Sequence, residues 1–337
     1  MKSYLNVILI FTFCVINLML KAQQITPISQ SVNVSIRGMS IVNEQVAWVS
    51  GTKGSVGLTI DGGLSWKWQQ VKGFEKSDFR GIEAFSEKEA VIIGSGTPAV
   101  ILKTLDGGKN WAVKFNITDT TYFLDAIAFS DKNHGFILGD PINGKFLMLE
   151  TLNAGEDWLP VKNAPDALKG EAAFAASGTC LRVSKNIGVV TGGSVSRLLI
   201  SPVKNIKWAA IKLPLTNGSP SMGAFSLSGT EKPMIVVGGN YAKDTITDSV
   251  AYVISKSKKA QQGLFPVKGP AGYQSCVEHI KGAIYISTGT SGSNITTDGG
   301  KTWTKFDDVS YNVCRKSTNG KLILFAGDRG RIGLFKF

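Results

Sequence analysis

Beyond its first two dozen residues the chain alternates short apolar runs with turn residues, and the runs recur in one order. Each unit opens on an alternating segment, as in Val34 to Ile41, Phe79 to Phe85 and Leu124 to Phe129. A continuous apolar run ending in glycine follows, at Ala47 to Gly51, Ala90 to Gly94, Gly135 to Gly139, Ile187 to Gly192, Met234 to Gly238, Ile284 to Gly289 and Leu322 to Gly327. A third run leads into a turn. Alternation and β-branched content predict strands, and no stretch sustains a helical period. Nearly everything past the N-terminal segment is expected to be strand or turn.

The turn after the third run is an octet, T-x-D-G-G-x-x-W. It reads TIDGGLSW from Thr59 to Trp66, TLDGGKNW from Thr104 to Trp111 and TTDGGKTW from Thr296 to Trp303. Thr151 to Trp158, TLNAGEDW, is a worn copy with Asn153 and Ala154 in place of Asp and Gly. Asp61, Asp106 and Asp298 are expected to accept hydrogen bonds from backbone N–H groups a few residues on and so close tight loops. The glycines supply positive φ. Trp66, Trp111, Trp158 and Trp303 start the outgoing strand and offer a large apolar area to wedge between units.

Spacing converts the octet into a fold. Trp66 to Trp111 is 45 residues and Trp111 to Trp158 is 47. Trp208 lies 50 further on, ending a segment that keeps only the Ser201 and Trp positions. A fifth slot without Trp falls near Ser255 to Gln262, Trp303 closes the sixth, and Tyr311 to Phe337 forms a seventh unit. Repeats of this length with several short strands each predict an all-β, seven-bladed β-propeller of four-stranded blades. Ile25-Thr26-Pro27-Ile28 resembles a post-Trp strand with no repeat before it, while the last unit lacks its own. The N-terminal strand is therefore expected to complete the last blade and close the ring, removing exposed edges.

Residues 1–22 are set apart from this pattern. Lys2 precedes an apolar stretch from Leu5 to Leu20, and Leu20 and Ala22 suit a cleavage site. This predicts an exported chain, periplasmic or secreted, whose signal peptide is cut after Ala22. A retained membrane anchor is the alternative. Residues 23–337 form one propeller domain, since no linker-like segment interrupts them.

The formal net charge is +12. Most of it is Lys scattered in turns, such as Lys256, Lys258 and Lys259. A basic solvated surface suits an acidic partner in the cell envelope. Nucleic acid is excluded as a partner by export and by the lack of a basic-aromatic cluster. Beyond residue 22 three cysteines remain, Cys180, Cys276 and Cys314. They read as small buried residues of inner strands rather than a disulfide pair.

The octets identify an Asp-box, or bacterial neuraminidase repeat, found in sialidases, sortilin-type receptors and the photosystem II stability/assembly factor family. The whole span from residue 23 resembles that last family, in its non-photosynthetic bacterial branch. Of the family's GW-like strand, only Trp48 carries the Trp here. The resemblance implies a propeller that assists assembly of membrane complexes by binding, with no enzymatic activity. Relatives labelled oxidoreductases or glycosyl hydrolases leave an alternative, a sialidase-like hydrolase using the central funnel.

A sialidase site needs clustered arginines for a carboxylate, a Tyr–Glu nucleophile pair and an Asp acid. Arg37 and Arg80 occupy the same slot of successive units, and Glu171 and Tyr311 can be cast as nucleophile partners, although nothing in the sequence fixes their geometry. For a two-carboxylate mechanism the candidates are Asp140 and Glu171. Gly94-Ser95-Gly96 is followed by Thr97-Pro98 rather than a helix, so it is no dinucleotide fingerprint. His134 and His279 stand alone and predict no metal site. No cofactor and no catalytic set is expected. The expectation is a monomeric binding scaffold that recognises a protein or glycan at one mouth. Arg37, Arg80, Asp140, Glu171, Arg182, Tyr273 and Arg329 are the candidates to line it. The distinctive loops Gly139 to Pro141, Gly170 to Thr179 and Gly238 to Tyr241 are its expected walls, because blades are scaffold and loops carry function.

Overall fold

The computed structural model describes residues 24–28, 32–231, 233–255 and 263–336. The signal-peptide segment, Lys256, Lys258, Lys259 and nearly all of the fifth box slot lie outside the described residues. Seven antiparallel sheets make up the fold. The first blade runs Ile36–Ile41, Ala47–Gly51, Ser55–Thr59, Lys67–Gln70 from the axis outward. The other inner strands are Asp78–Ala84, Leu124–Phe129, Leu181–Val183, Met222–Leu227, Cys276–Lys281 and Val313–Lys316. The chain is a seven-bladed β-propeller.

Gln24–Ile28 pairs antiparallel with Ile332–Lys336 as the outer strand of the last blade, in register Gln24 with Lys336 and Ile28 with Ile332. Ile25 is buried there among Tyr311, Phe325 and Phe335. The first and last segments of the ring thus share one sheet, which leaves the closing blade as complete as the rest.

Apolar clusters lie between neighbouring blades as well as within them. Trp158, from the third box, packs on Val91 and Ile93 of the second blade. Trp303, from the sixth, packs on Ile235 and Val253 of the fifth. Trp48 is buried, donates its indole N–H to the Ser86 carbonyl at 2.9 Å and meets Trp111 edge-on at 6.4 Å between centroids. The box turns close as the residues dictate. The Thr59 hydroxyl donates to Asp61 at 2.7 Å, Asp61 accepts from the Ser65 N–H at 2.9 Å, and the Gly63 N–H donates to Thr59 Oγ1 at 3.0 Å. The worn copy keeps the same bonds, with the Asp157 N–H donating to Asn153 Oδ1 at 3.0 Å. Its Ala154 sits at φ 61°, where the other boxes have glycine.

One sheet departs from four strands. Glu171–Ala172 and Gly192–Gly193 add to the inner edge of the fifth blade, giving six. Gly192 was expected to end the second strand of the fourth blade. That strand stops at Val190, and Gly192 crosses to pair with Gly223. The crossing needs glycine on both sides, because a Cβ on Gly192 would lie 2.6 Å from the Gly223 Cα. The three cysteines are buried and free, two in inner strands and Cys180 directly before one.

Candidate functional site

The ends of the ring differ in kind. At one end each box turn leans on its own blade's first hairpin, as Gly62 N–H to Gln45 O, Gly107 N–H to Lys88 O and Ala154 N–H to Asn133 O show. At the other end the blade-to-blade connections and the second hairpins converge on the axis. A cavity of about 550 Å³ opens there. All three loops singled out from sequence contribute to it, through Asp140, through Ala172 to Ala176, and through Tyr241.

The inner strands aim side chains into this cavity by a shared device. Register shifts fall between Ile36 and Gly38, Phe79 and Gly81, Leu124 and Ala126, and Ala224 and Ser226. The extra residue at each bulge is Arg37, Arg80, Asp125 or Phe225, and all four line the cavity. A bulge leaves one residue unpaired and re-aims its side chain, so the equivalent position of four blades becomes the lining of the mouth.

Arg37 is half-buried, and the hydrogen bond it makes to the Ala176 carbonyl is long, at 3.5 Å. Among the described residues no carboxylate lies within ion-pair distance of it. Burial, then the nearby Arg80, lower its pKa, which marks a cation short of compensation. Arg80 is paired to Asp78 through Nε at 2.7 Å and lies 5.8 Å from the centroid of the Phe123 ring. Facing them is an aromatic wall. Phe174 stacks on Phe225 at 3.9 Å and 10°, and Tyr273 meets Phe225 edge-on at 4.8 Å. Tyr241 completes the wall and is half exposed.

Carboxyls fill the third side. Asp125 is 1% exposed, and its Oδ2 has no hydrogen-bond partner among the described residues. Burial and the neighbouring Asp140 push its pKa well above the ordinary value. Burial also raises Asp140, which accepts from the Ala173 N–H at 3.3 Å. Asp328 is different. Burial pushes it upward, but bonds from Ser35 at 2.5 Å and Asn312 at 3.1 Å hold it low.

Four of the seven residues expected at the mouth therefore meet there: Arg37, Arg80, Asp140 and Tyr273. The other three do not line it. Both Glu171 oxygens are spent, on Arg197 at 2.7 and 2.5 Å, the Thr191 hydroxyl at 2.5 Å and the Leu168 N–H at 2.8 Å. Glu171 is a buried strut of the extra strands, its carboxylate spent on these partners rather than offered to the cavity. Arg182 lies deeper along the axis, bonded to the Leu227 and Val277 carbonyls and to Glu278 at 2.7 Å. Arg329 occupies an exposed turn at φ 60°, beside Asp328 but pointing outside the cavity lining. Asp125, Phe225 and Asp328 were not foreseen. The first two were findable by aligning Leu124-Asp125-Ala126 and Ala224-Phe225-Ser226 with Ile36-Arg37-Gly38.

Elsewhere, His134 bonds Glu150 at 2.7 Å and His279 the Gly282 carbonyl at 3.0 Å. No cluster of three or more metal-ligating side chains occurs among the described residues.

Fold and site define an Asp-box propeller with a cationic and aromatic mouth, opposite the end that carries the boxes. Residues 19–118 match the family model described as Photosynthesis system II assembly factor YCF48. A solved structure of YCF48 bound to D1 peptide superposes with a TM-score of 0.68 at 16% identity, covering 94% of this chain and 98% of that one. YCF48 from Cyanidioschyzon merolae superposes with a TM-score of 0.63 at 20% identity, covering 92% and 98%. No curated protein matches the chain. The chain thus shares the propeller fold of these solved structures, and its residues 19–118 are similar to the assembly-factor family model.

Proposed function

We propose that this protein is an exported, non-enzymatic scaffold whose mouth captures a segment of a partner protein. The captured segment carries a carboxylate next to an aromatic or aliphatic side chain. The observation that carries this reading is Arg37, a half-buried guanidinium with no carboxylate partner among the described residues, beside Arg80 and across from the Phe174–Phe225–Tyr273 wall. A guanidinium presents donors in a fork that fits a carboxylate bidentately. The wall removes an apolar side chain from water. A cavity of about 550 Å³ has the size of sites that take small ligands or short peptide segments. That a similarly folded YCF48 has been solved with D1 peptide supports a peptide as the kind of occupant. The formal charge of +12 favours encounter with acidic partners.

A fluorescence anisotropy screen of short peptides, each with its carboxylate free or amidated, tests the reading. Charge-assisted hydrogen bonds contribute about 1.5–3 kcal/mol, so Arg37→Ala or Arg80→Ala weakens binding roughly 10- to 150-fold. Amidation does the same, and Phe225→Ala removes the preference for an apolar neighbour. Binding indifferent to amidation and to both arginine variants would sink the proposal. Selective capture of glycans over peptides would move the function to carbohydrate recognition at the same aromatic wall.

A further inference from the structure

We propose that the Asp-box end of the ring is a docking surface for an anionic lipid bilayer. Three features of that end carry the inference, and none depends on what the mouth binds.

The first is a set of aliphatic side chains where a turn favours polar ones. In the box, bonds among Thr, Asp and backbone N–H groups hold those side chains against the loop and leave the residue between them facing out. That residue is Ile60, Leu105 and Leu152 in three successive blades, exposed by 60%, 62% and 70%. Leu64 in the first box is exposed by 65%. Tight turns select Gly, Asn, Asp and Ser on local chemistry, so nothing in the turn itself calls for leucine. Aliphatic tips presented from one end suit insertion at a bilayer interface, where their cost in water is recovered.

The second is a cationic groove at the same end. A cavity of about 590 Å³ between the sixth and seventh blades has Leu322 and Leu334 in its wall, with Lys281, Lys316, Lys321 and Lys336 around it. Glu44, the carboxylate in the lining, is spent on the Ser317 hydroxyl at 2.6 Å and on the Lys321 and Leu322 N–H groups at 2.7 and 3.0 Å. Lysines bordering apolar surface suit the phosphate-to-acyl boundary, with stems in the apolar layer and ammonium groups at the headgroups.

The third is where the chain enters. Gln24 pairs with Lys336, and the other end of that pairing, Ile28 with Ile332, lies toward the Asp328–Gly330 turn at the mouth. Residue 24 therefore sits at the Asp-box end, beside the lysine groove. The entry of the described chain, the aliphatic tips and the lysines share one end, and a bilayer held there leaves the mouth facing away, open to a partner.

Hydrogen exchange of residues 23–337, the chain expected after cleavage, on vesicles tests the arrangement. Phosphatidylcholine vesicles with and without about one-third phosphatidylglycerol are the probes. On the anionic vesicles, amides in segments 58–66, 103–111 and 316–324 become protected, while 172–176 and 240–246 exchange as in solution. Each lysine near an anionic surface strengthens partitioning roughly fivefold, so the K281E/K316E/K321E/K336E variant loses on the order of 100-fold or more. It then shows no protection at the Asp-box end. The L105S/L152S variant alters only exposed side chains, and it loses part of the protection with an unchanged melting temperature. Protection at the mouth, equal protection on both vesicle types, or protection that survives charge reversal would each overturn the proposal.

Discussion

Asp125 offers the sharpest test of the site's construction. Its carboxyl is 1% exposed and Oδ2 has no partner among the described residues. Burial first, then Asp140, push its pKa up, against a weaker opposing pull from Arg80 and a backbone contact at Ala175. Cys180, whose thiol burial and Asp125 also push up, lies on the same side and offers no compensation. Asp125→Asn keeps the shape and removes the charge. Well below the ordinary value of about 3.9, Asp125 is protonated in both folded and unfolded chains, and at pH 4 variant and parent still differ little. The folded-state pKa is raised, so the stability that protonation supplies is full below the unfolded value of about 3.9. It is lost as pH rises toward the folded value. Over that window the gap widens by at most about 1.4 kcal/mol per pH unit. The cost of a buried, unsatisfied polar group is about 1–3 kcal/mol, which sets the gain expected of the variant at pH 8. Urea unfolding of both proteins at pH 4, 6 and 8 reads it directly. No gain at pH 8, or an equal gain at pH 4 and pH 8, refutes the assignment of Asp125 as an uncompensated carboxyl.

Four other substitutions probe the frame. Trp48→Ala removes a fully buried indole and its bond to Ser86, and is expected to cost about 3–5 kcal/mol in urea unfolding. Ala154→Gly relieves a left-handed alanine at φ 61°. The relief of about 1–2 kcal/mol exceeds the added chain entropy of about 0.4–1, so a small net gain in stability is expected. Gly299→Ala, at φ 77° with open space around it, is expected to lose about 1 kcal/mol from backbone strain alone. Ile25→Ala, in the strand that closes the ring, is expected to cost about 2–4 kcal/mol and to speed proteolysis of the last blade. Stability unchanged by Ile25→Ala would mean that the closing strand contributes little.

The architecture was legible because it repeats. The Thr and Asp side chains of the box find their hydrogen-bond partners within its eight residues, so the letters alone report the turn. The closing strand was legible from a matching deficit at the two ends. Arg37 and Arg80 could be aligned because both precede a glycine in an apolar run. Glu171 and Arg182 were misplaced for the opposite reason. Their partners, Arg197 and Glu278, are 26 and 96 residues away, and nothing local shows whether a charge is already compensated. The extra pair of strands was hidden because two-residue segments at Gly192 and Glu171 carry no periodicity.

The irregular parts of the fold coincide with its mouth, and this argues for function there. Four inner strands bulge at one level, although a regular ladder would have left fewer backbone groups unpaired. The fifth blade takes on two added strands held by a buried Arg197–Glu171 pair, and they carry Ala172 to Ala176 over the axis. Arg37 and Asp125 stay undercompensated in the same cavity, a few residues from pairs that are fully satisfied. Each of these features lowers stability relative to a plain blade, and they gather around one cavity. A chain that repeats its turns so faithfully departs from its own pattern where a ligand, rather than the next blade, has to be fitted.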